Sequence, residues 1–120
     1  MASEGDTISS ASESLSSEMR RGLVSLAVLA ACRTPQYGYS LKQTLSESRI
    51  DVNEGTLYPL LRRLEEQDLL SSEWQIEEGQ RPRRYYTLAP VGAEVLRRLQ
   101  GEWRVLAGAL DNLLISPGPD

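Results

Sequence analysis

The apolar residues between positions 54 and 70 recur with the period of an α-helix. Four leucines at i, i+3, i+4 and i+7 predict one buried helix face: Leu57, Leu60, Leu61 and Leu64. The other side of this helix carries hydroxyl, aromatic and guanidinium groups: Thr56, Tyr58, Pro59, Arg62 and Arg63. That set is unusual for a face that only meets solvent, so the pattern favours an interaction surface near the start of the helix.

Two shorter stretches upstream predict two further helices. Residues 1–14 are rich in Ser, Glu and Gly, and we expect them to form a disordered acidic tail. Helix 1 is expected to begin near Ser16, with Ser16 or Ser17 as its N-cap, and its Leu23–Cys32 stretch is apolar nearly all round. Helix 2 is expected from about Tyr39 to Ser48.

The N-terminus of the third helix has two candidate caps, Asn53 and Thr56. With Thr56 as the cap, Pro59 falls in the first turn, where its missing N–H costs nothing. With Asn53 as the cap, the Gly55 carbonyl loses its intrahelical partner and must accept from water or a ligand. The sequence leaves both possibilities open.

After Leu70 the period changes to that of strands. Ser71–Glu77 and Arg83–Leu88 predict a β-hairpin, because β-branched and aromatic residues alternate with polar ones and a turn-rich segment separates them. Three helices followed by a hairpin predict a mostly α, α+β fold, the winged helix-turn-helix, over residues 15–88.

Residues 89–115 predict one more helix, opened by Pro90. Its apolar residues follow alternating steps of three and four, the spacing of a coiled-coil seam: Leu96, Leu99, Trp103, Leu106, Leu110 and Leu113. We therefore expect a dimerisation helix, joined by residues of helix 1, namely Leu15, Met19 and Leu23. The alternative is that this helix folds back on helix 1. Residues 116–120, rich in Pro and Gly, are expected to end it as a short tail.

The net charge of −4 changes the picture less than its distribution does. The acids Glu4, Asp6, Glu13 and Glu18 all precede the first basic residue, Arg20. Beyond residue 18 the chain has 13 basic residues, and taking those four acids from 17 leaves 13 acidic ones. Any binding to DNA must therefore depend on local clusters of basic residues.

Composition also lowers the expectation of catalysis. The chain has no His and a single Cys, Cys32, which lies in an apolar run and is expected in the core. We expect no enzyme activity, no metal and no cofactor. The N-terminus lacks the pattern of a signal peptide, and the longest apolar stretch, Gly22–Cys32, is too short to cross a bilayer. These features predict a cytoplasmic protein.

Basic residues cluster in the predicted wing and indicate DNA contact. Arg81, Arg83 and Arg84 lie within four residues, and the segment from Gly79 to Tyr86 contains no acid. We predict that helix 54–67 enters the major groove, while wing 78–84 contacts the backbone or the minor groove. Residues around helix 2 are expected to add contacts: Tyr37, Tyr39, Ser40 and Lys42. The alternatives are a solvated face with Arg62–Glu66 pairing, and a winged helix that binds protein instead.

The segment GTLYPLLRRLEEQDLL, followed about a dozen residues later by RRYYTLAPVG, resembles the PadR family of bacterial transcriptional regulators. The resemblance covers roughly residues 19–115 and is closest to the family's members with a short C-terminal helix. It implies a homodimeric repressor that binds a pseudo-palindromic site on double-stranded DNA.

The resemblance also bears on an effector and on two local departures. Some members bind flat aromatic compounds at the dimer interface, where a duplicated Trp103 would form a sandwich; the alternative role for this Trp is packing. Asp68 stands where the family usually has Gly in a left-handed turn, and Ala89 where it often has a capping Thr. Both departures concern local stability and leave the DNA-contacting residues in place.

Overall fold

A computed structural model describes residues 3–115 as four helices and one two-stranded antiparallel sheet. In chain order the elements are α1 (Glu4–Ala31), α2 (Gly38–Glu47), α3 (Glu54–Glu66), β1 (Leu70–Gln75), β2 (Arg83–Leu88) and α4 (Pro90–Ile115). The mostly helical winged-helix fold predicted from the sequence is thereby confirmed. The predicted end of the last helix at residues 116–120 lies outside the described residues.

The core is formed where α1, α2 and α3 meet. The predicted leucine stripe of α3 is buried in full, at 6% exposure or less. It packs with apolar residues of the other two helices, listed here: Val24, Val28, Leu29, Leu41 and Leu45. Each buried Leu or Val contributes about 1.5–3 kcal/mol relative to an exposed one, so this cluster dominates the stability of the fold. Cys32 is fully buried beside it, as predicted.

The start of α1 corrects the sequence prediction. The helix begins at Glu4, so the predicted N-cap at Ser16 or Ser17 and the predicted disorder of the preceding tail were wrong for residues 4–14. Ser3 caps this helix: its hydroxyl accepts from the Asp6 N–H at 3.1 Å, and the Asp6 carboxylate accepts from the Ser3 N–H. Residues 3–22 are all exposed, so local capping and not burial defines this half of the helix.

The N-terminus of α3 resolves the choice between its two caps. The Asn53 side chain accepts from the Thr56 N–H at 2.9 Å, so Asn53 is the N-cap and Thr56 lies inside the helix. Pro59 is therefore an internal helix residue, and the Gly55 carbonyl has no i+4 N–H to accept from. At the other end Asp68 has a φ of 62°, the left-handed conformation expected at that position.

The two strands of the hairpin pair antiparallel, from Leu70 opposite Leu88 to Gln75 opposite Arg83. The first strand ends two residues before its predicted end at Glu77. Gln36, just before α2, adds an isolated bridge to Tyr86, with N–H to carbonyl distances of 3.0 and 2.7 Å. This bridge fixes the hairpin against the helices.

The first turns of α4 pack on the winged helix itself. Gly92 lies so close to the Leu69 carbonyl that a Cβ would overlap it, and Leu96 is only 9% exposed. Leu96 therefore belongs to the core of its own chain, and its prediction as a dimerisation residue was wrong. A heptad pattern can begin in the core of its own chain and continue onto the surface, so its spacing alone does not identify dimer contacts.

Candidate DNA interface

The outer side of α3 is turned away from the core and is open to solvent. Arg62, Arg63 and Pro59 are exposed, and Tyr58 is 44% exposed. Successive residues of a helix are rotated by about 100° around its axis. Tyr58 and Arg62 therefore face the hairpin, whereas Arg63 faces α1. The helix thus presents two chemically distinct flanks.

A groove of about 680 Å³ lies between α3, the start of α2 and the hairpin; we call it the wing groove. It brings together seven of the twelve residues predicted to contact DNA, from three elements: Tyr37, Tyr39, Tyr58, Arg62, Arg81, Arg83 and Arg84. The groove also includes Trp74 and Gly38, which the sequence reasoning did not single out. Its lining is basic and aromatic, the composition that suits a nucleic-acid backbone.

Aromatic rings hold the guanidinium of Arg83 in this groove. It lies 4.5 Å from the centroid of the Tyr37 ring, which in turn meets the Tyr85 ring edge-on at 5.3 Å. Hydrogen bonding to the Tyr85 side chain and the proximity of Tyr37 raise the pKa of Arg83. The side chain therefore stays charged and is held at the mouth of the groove.

Arg84 has a different environment, because it joins the hairpin to α3. Its guanidinium lies 2.8 Å from the Glu65 carboxylate and 2.9 Å from the Ser72 hydroxyl, and that hydroxyl also donates to Glu65. Both ionised side chains are partly shielded from water. This network positions the wing relative to α3 and pairs Glu65, the acid of α3 closest to the wing, with a basic side chain.

Ser40 and Lys42 of α2, both predicted to contact DNA, make contacts within the protein. The Ser40 hydroxyl accepts from the Tyr37 N–H at 3.0 Å and donates to the Gln36 side chain at 2.7 Å, so it caps α2. The Lys42 amine lies 3.9 Å from the Glu54 carboxylate, a long and exposed pair. Gly38 allows the Tyr58 ring to pack against the start of α2, where a Cβ would overlap its hydroxyl end. Tyr39 stays exposed.

The opposite flank of α3 borders a second groove, of about 510 Å³, that it shares with α1. Thr56, Pro59 and Arg63 line it from α3, so these three predicted residues lie apart from the wing groove. Arg20 and Arg21 line it from α1 and were missed by the sequence reasoning. Their signal was an Arg pair at the boundary between an acidic segment and the apolar part of a helix.

A third surface is apolar and is formed by α1 and α4. Beyond Leu96 the predicted seam of α4 is open to solvent: Leu99, Trp103, Leu106, Leu110 and Leu113 are 37–76% exposed. On α1, Leu15 and Met19 are exposed as well, and Leu23 is half-buried. Between the two helices Leu26, Leu99 and Trp103 line a groove of about 250 Å³.

Three helices, a hairpin wing and a basic groove beside the third helix define a winged helix-turn-helix protein of the kind that binds DNA. Residues 26–98 match the family model described as "Transcriptional regulator PadR-like family". The chain therefore belongs to the PadR-like family of transcriptional regulators.

Individual relatives agree with this assignment. The chain is similar to a PadR family transcriptional regulator of Eggerthella lenta, with 40% identity and a TM-score of 0.83 over 92% of this chain and 98% of that one. It is 41% identical to Transcriptional regulator Rv3488 of Mycobacterium tuberculosis over 66% of this chain and 74% of that protein. A PadR-like transcription factor of Bacteroides fragilis is 37% identical, with a TM-score of 0.71 over 83% and 98% of the two chains.

Within residues 3–115, no helix combines the length and the apolar character that crossing a bilayer requires.

Proposed function

We propose that the protein is a homodimeric, sequence-specific repressor that inserts α3 into the major groove and lays its wing on the DNA backbone or in the minor groove. The observation that carries this proposal is the wing groove, in which Arg62 of α3 faces Arg81 and Arg83 of the hairpin. In such an arrangement Arg62 is the residue able to fork onto a guanine edge. The wing arginines then hold phosphates and set the register of the helix.

The charge distribution supports this use of the surface. Four arginines line the wing groove, and among the described residues no Asp or Glu does. Glu65, the acid of α3 closest to the wing, is paired with Arg84. The groove therefore keeps a net positive lining in a protein whose overall charge is −4.

A second copy of the chain is the proposed cover for the apolar surface of α1 and α4. Exposed leucines that continue one helical stripe beyond the core are typical of a helix with a partner. The members of this proposed dimer surface are Leu15, Met19, Leu23, Leu99, Trp103, Leu106, Leu110 and Leu113. A twofold dimer would present α3 twice, which is why the operator is expected to be pseudo-palindromic.

The groove beside Trp103 is the proposed site for a small aromatic effector. Its lining is apolar, and Trp103 is 46% exposed, so the indole is available for stacking. Titration of a flat aromatic dye against the tryptophan fluorescence of wild-type and Trp103→Ala protein tests this. Quenching that is equal in both proteins would assign the signal to Trp74, the other tryptophan, and remove this part of the proposal.

Selection of bound fragments from random DNA, followed by a salt titration, tests the main proposal. We expect an enriched sequence with two half-sites about one helical turn, or a multiple of it, apart. Affinity should fall steeply with salt, because phosphate contacts release counterions. Recovery of no enriched sequence, together with no DNA affinity at low salt, would favour a winged helix that binds protein.

A further inference from the structure

The groove between α1 and α3, here called the α1 groove, is a second basic surface on the flank of α3 opposite the wing. Arg20 and Arg21 of α1 and Arg63 of α3 line it together, and the hydroxyls of Ser17 and Thr56 lie on the same lining. Arg62, the neighbour of Arg63, lines the wing groove instead. The two adjacent arginines of α3 therefore serve different surfaces.

The three guanidinium groups of the α1 groove are free to bind an anion. Within residues 3–115, no carboxylate lies within 4.0 Å of any of them, whereas Arg84, Arg97 and Arg98 each have a Glu partner. All three are exposed. Arg20 is held in place, because it donates to the Asp51 carbonyl at 2.9 Å, just before the N-cap of α3.

One acidic residue, Asp51, shares this lining. Against three guanidinium groups it leaves the groove with a net charge of about +2. An anion is therefore the ligand that the charge of this groove favours.

The position of the α1 groove beside α3 determines which anion lies close enough to bind there. A helix with its side chains is about 10–12 Å across, and the major groove of DNA is about 12 Å wide. A helix that enters this groove therefore fills it, and its two flanks each face one of the two phosphate backbones. If the wing side faces one strand, the α1 side faces the other.

We propose that Arg20 and Arg21 of α1, together with Arg63, bind phosphates of the DNA strand on the side of the major groove away from the wing. This inference rests on the proposed insertion of α3 into the major groove. It makes α1 a DNA-contacting element as well as a core and dimer helix. It also gives Arg63 a backbone role distinct from the base contact proposed for Arg62.

The double variant Arg20→Ala/Arg21→Ala tests the proposal, and the chain offers a matched control. Arg97 and Arg98 are also two adjacent exposed arginines on a helix, but they lie on α4 and pair with Glu94. Binding to the selected site and to random DNA is measured over a series of salt concentrations for wild type and both double variants. Circular dichroism verifies that each variant keeps its helices.

The Arg20→Ala/Arg21→Ala variant is expected to lower the slope of log affinity against log salt by about two, since each lost phosphate contact removes roughly 0.9. Affinity for the selected site and for random DNA should fall by the same factor, because phosphates carry no sequence information. The Arg97→Ala/Arg98→Ala control is expected to leave slope and affinity unchanged. Ethylation of individual phosphates should interfere with wild type at positions where the Arg20/Arg21 variant is insensitive.

Three results would overturn the inference. If Arg62→Ala loses specific affinity while the Arg20/Arg21 variant keeps the wild-type salt slope, α1 does not contact DNA and the proposed function still stands. If wild type binds no DNA at low salt, the proposed function fails and this inference fails with it. If inorganic phosphate binds the wild type but not the Arg20/Arg21 variant, and the DNA slope is unaffected, the groove holds a small anion instead.

Discussion

The contact between Arg84 and Glu65 is expected to stabilise the protein measurably, because it is the ion pair that joins the wing to α3. The pair is 2.8 Å long, is bridged by the Ser72 hydroxyl, and has side chains that are 40% and 26% exposed. Hydrogen bonds to charged groups contribute about 1.5–3 kcal/mol when shielded from water. Solvent screening of this partly exposed pair reduces that figure, so we expect Arg84→Ala to cost about 1–2 kcal/mol.

A double-mutant cycle in urea measures the interaction itself. The variants Glu65→Ala, Arg84→Ala and the double variant are unfolded at one fixed protein concentration, because dimerisation would otherwise shift the midpoints. The coupling energy is expected to be about 1 kcal/mol. The matched control is the exposed pair of Glu94 and Arg97, which lie three residues apart on α4 and should couple by about 0.2–0.5 kcal/mol or less. A coupling energy for Glu65–Arg84 no larger than that of the control would refute the reasoning.

Three further predictions follow from the core. Leu61→Ala removes a fully buried side chain and is expected to cost about 2–5 kcal/mol in urea unfolding; a loss below about 1 kcal/mol would contradict the assigned packing. Gly92→Ala would place a Cβ against the Leu69 carbonyl, and overpacking of this kind is expected to cost about 1–3 kcal/mol; an unchanged thermal midpoint would show that α4 does not approach Leu69 this closely. Burial raises the pKa of the Cys32 thiol to about 12 from 9.0, so the native thiol should react with a disulfide reagent at pH 8 far more slowly than the unfolded one. Its contribution to stability is complete below pH 9.0 and is lost as the pH rises towards about 12, because the unfolded thiol ionises first; Cys32→Ala should lack this component of the pH dependence.

The fold could be predicted from the sequence where apolar periodicity and burial coincide. The leucine stripe of α3 and the central part of α1 are buried as their spacing indicates. The start of α1 could not be predicted this way, since residues 3–22 bury nothing. A polar cap formed by Ser3 and Asp6 defines it, and such a signal is easily read as disorder in a Ser-rich segment.

The sequence predicted most of the residues of the candidate DNA interface, but not that they lie in two separate grooves. Arg62 and Arg63 are adjacent in the sequence, and only the orientation of α3 about its own axis shows that they line different grooves. The Arg84–Glu65 contact spans 19 residues of sequence, so local spacing carries no signal for it. The prediction for Leu96 was wrong for a related reason. Its heptad position is indistinguishable in sequence from that of the exposed Leu99, and only the close packing of α4 at Gly92 shows that Leu96 is buried.

The most direct test of the central claim is the specificity ratio of Arg62→Ala, defined as the affinity for the selected site divided by the affinity for random DNA at one salt concentration. A bidentate contact to a guanine contributes about 1–3 kcal/mol of discrimination, which corresponds to roughly a 5- to 150-fold change in this ratio. We predict a fall of that size for Arg62→Ala and no change for Arg97→Ala. A wild-type ratio in Arg62→Ala would contradict the proposal that the outer face of α3 reads the DNA sequence.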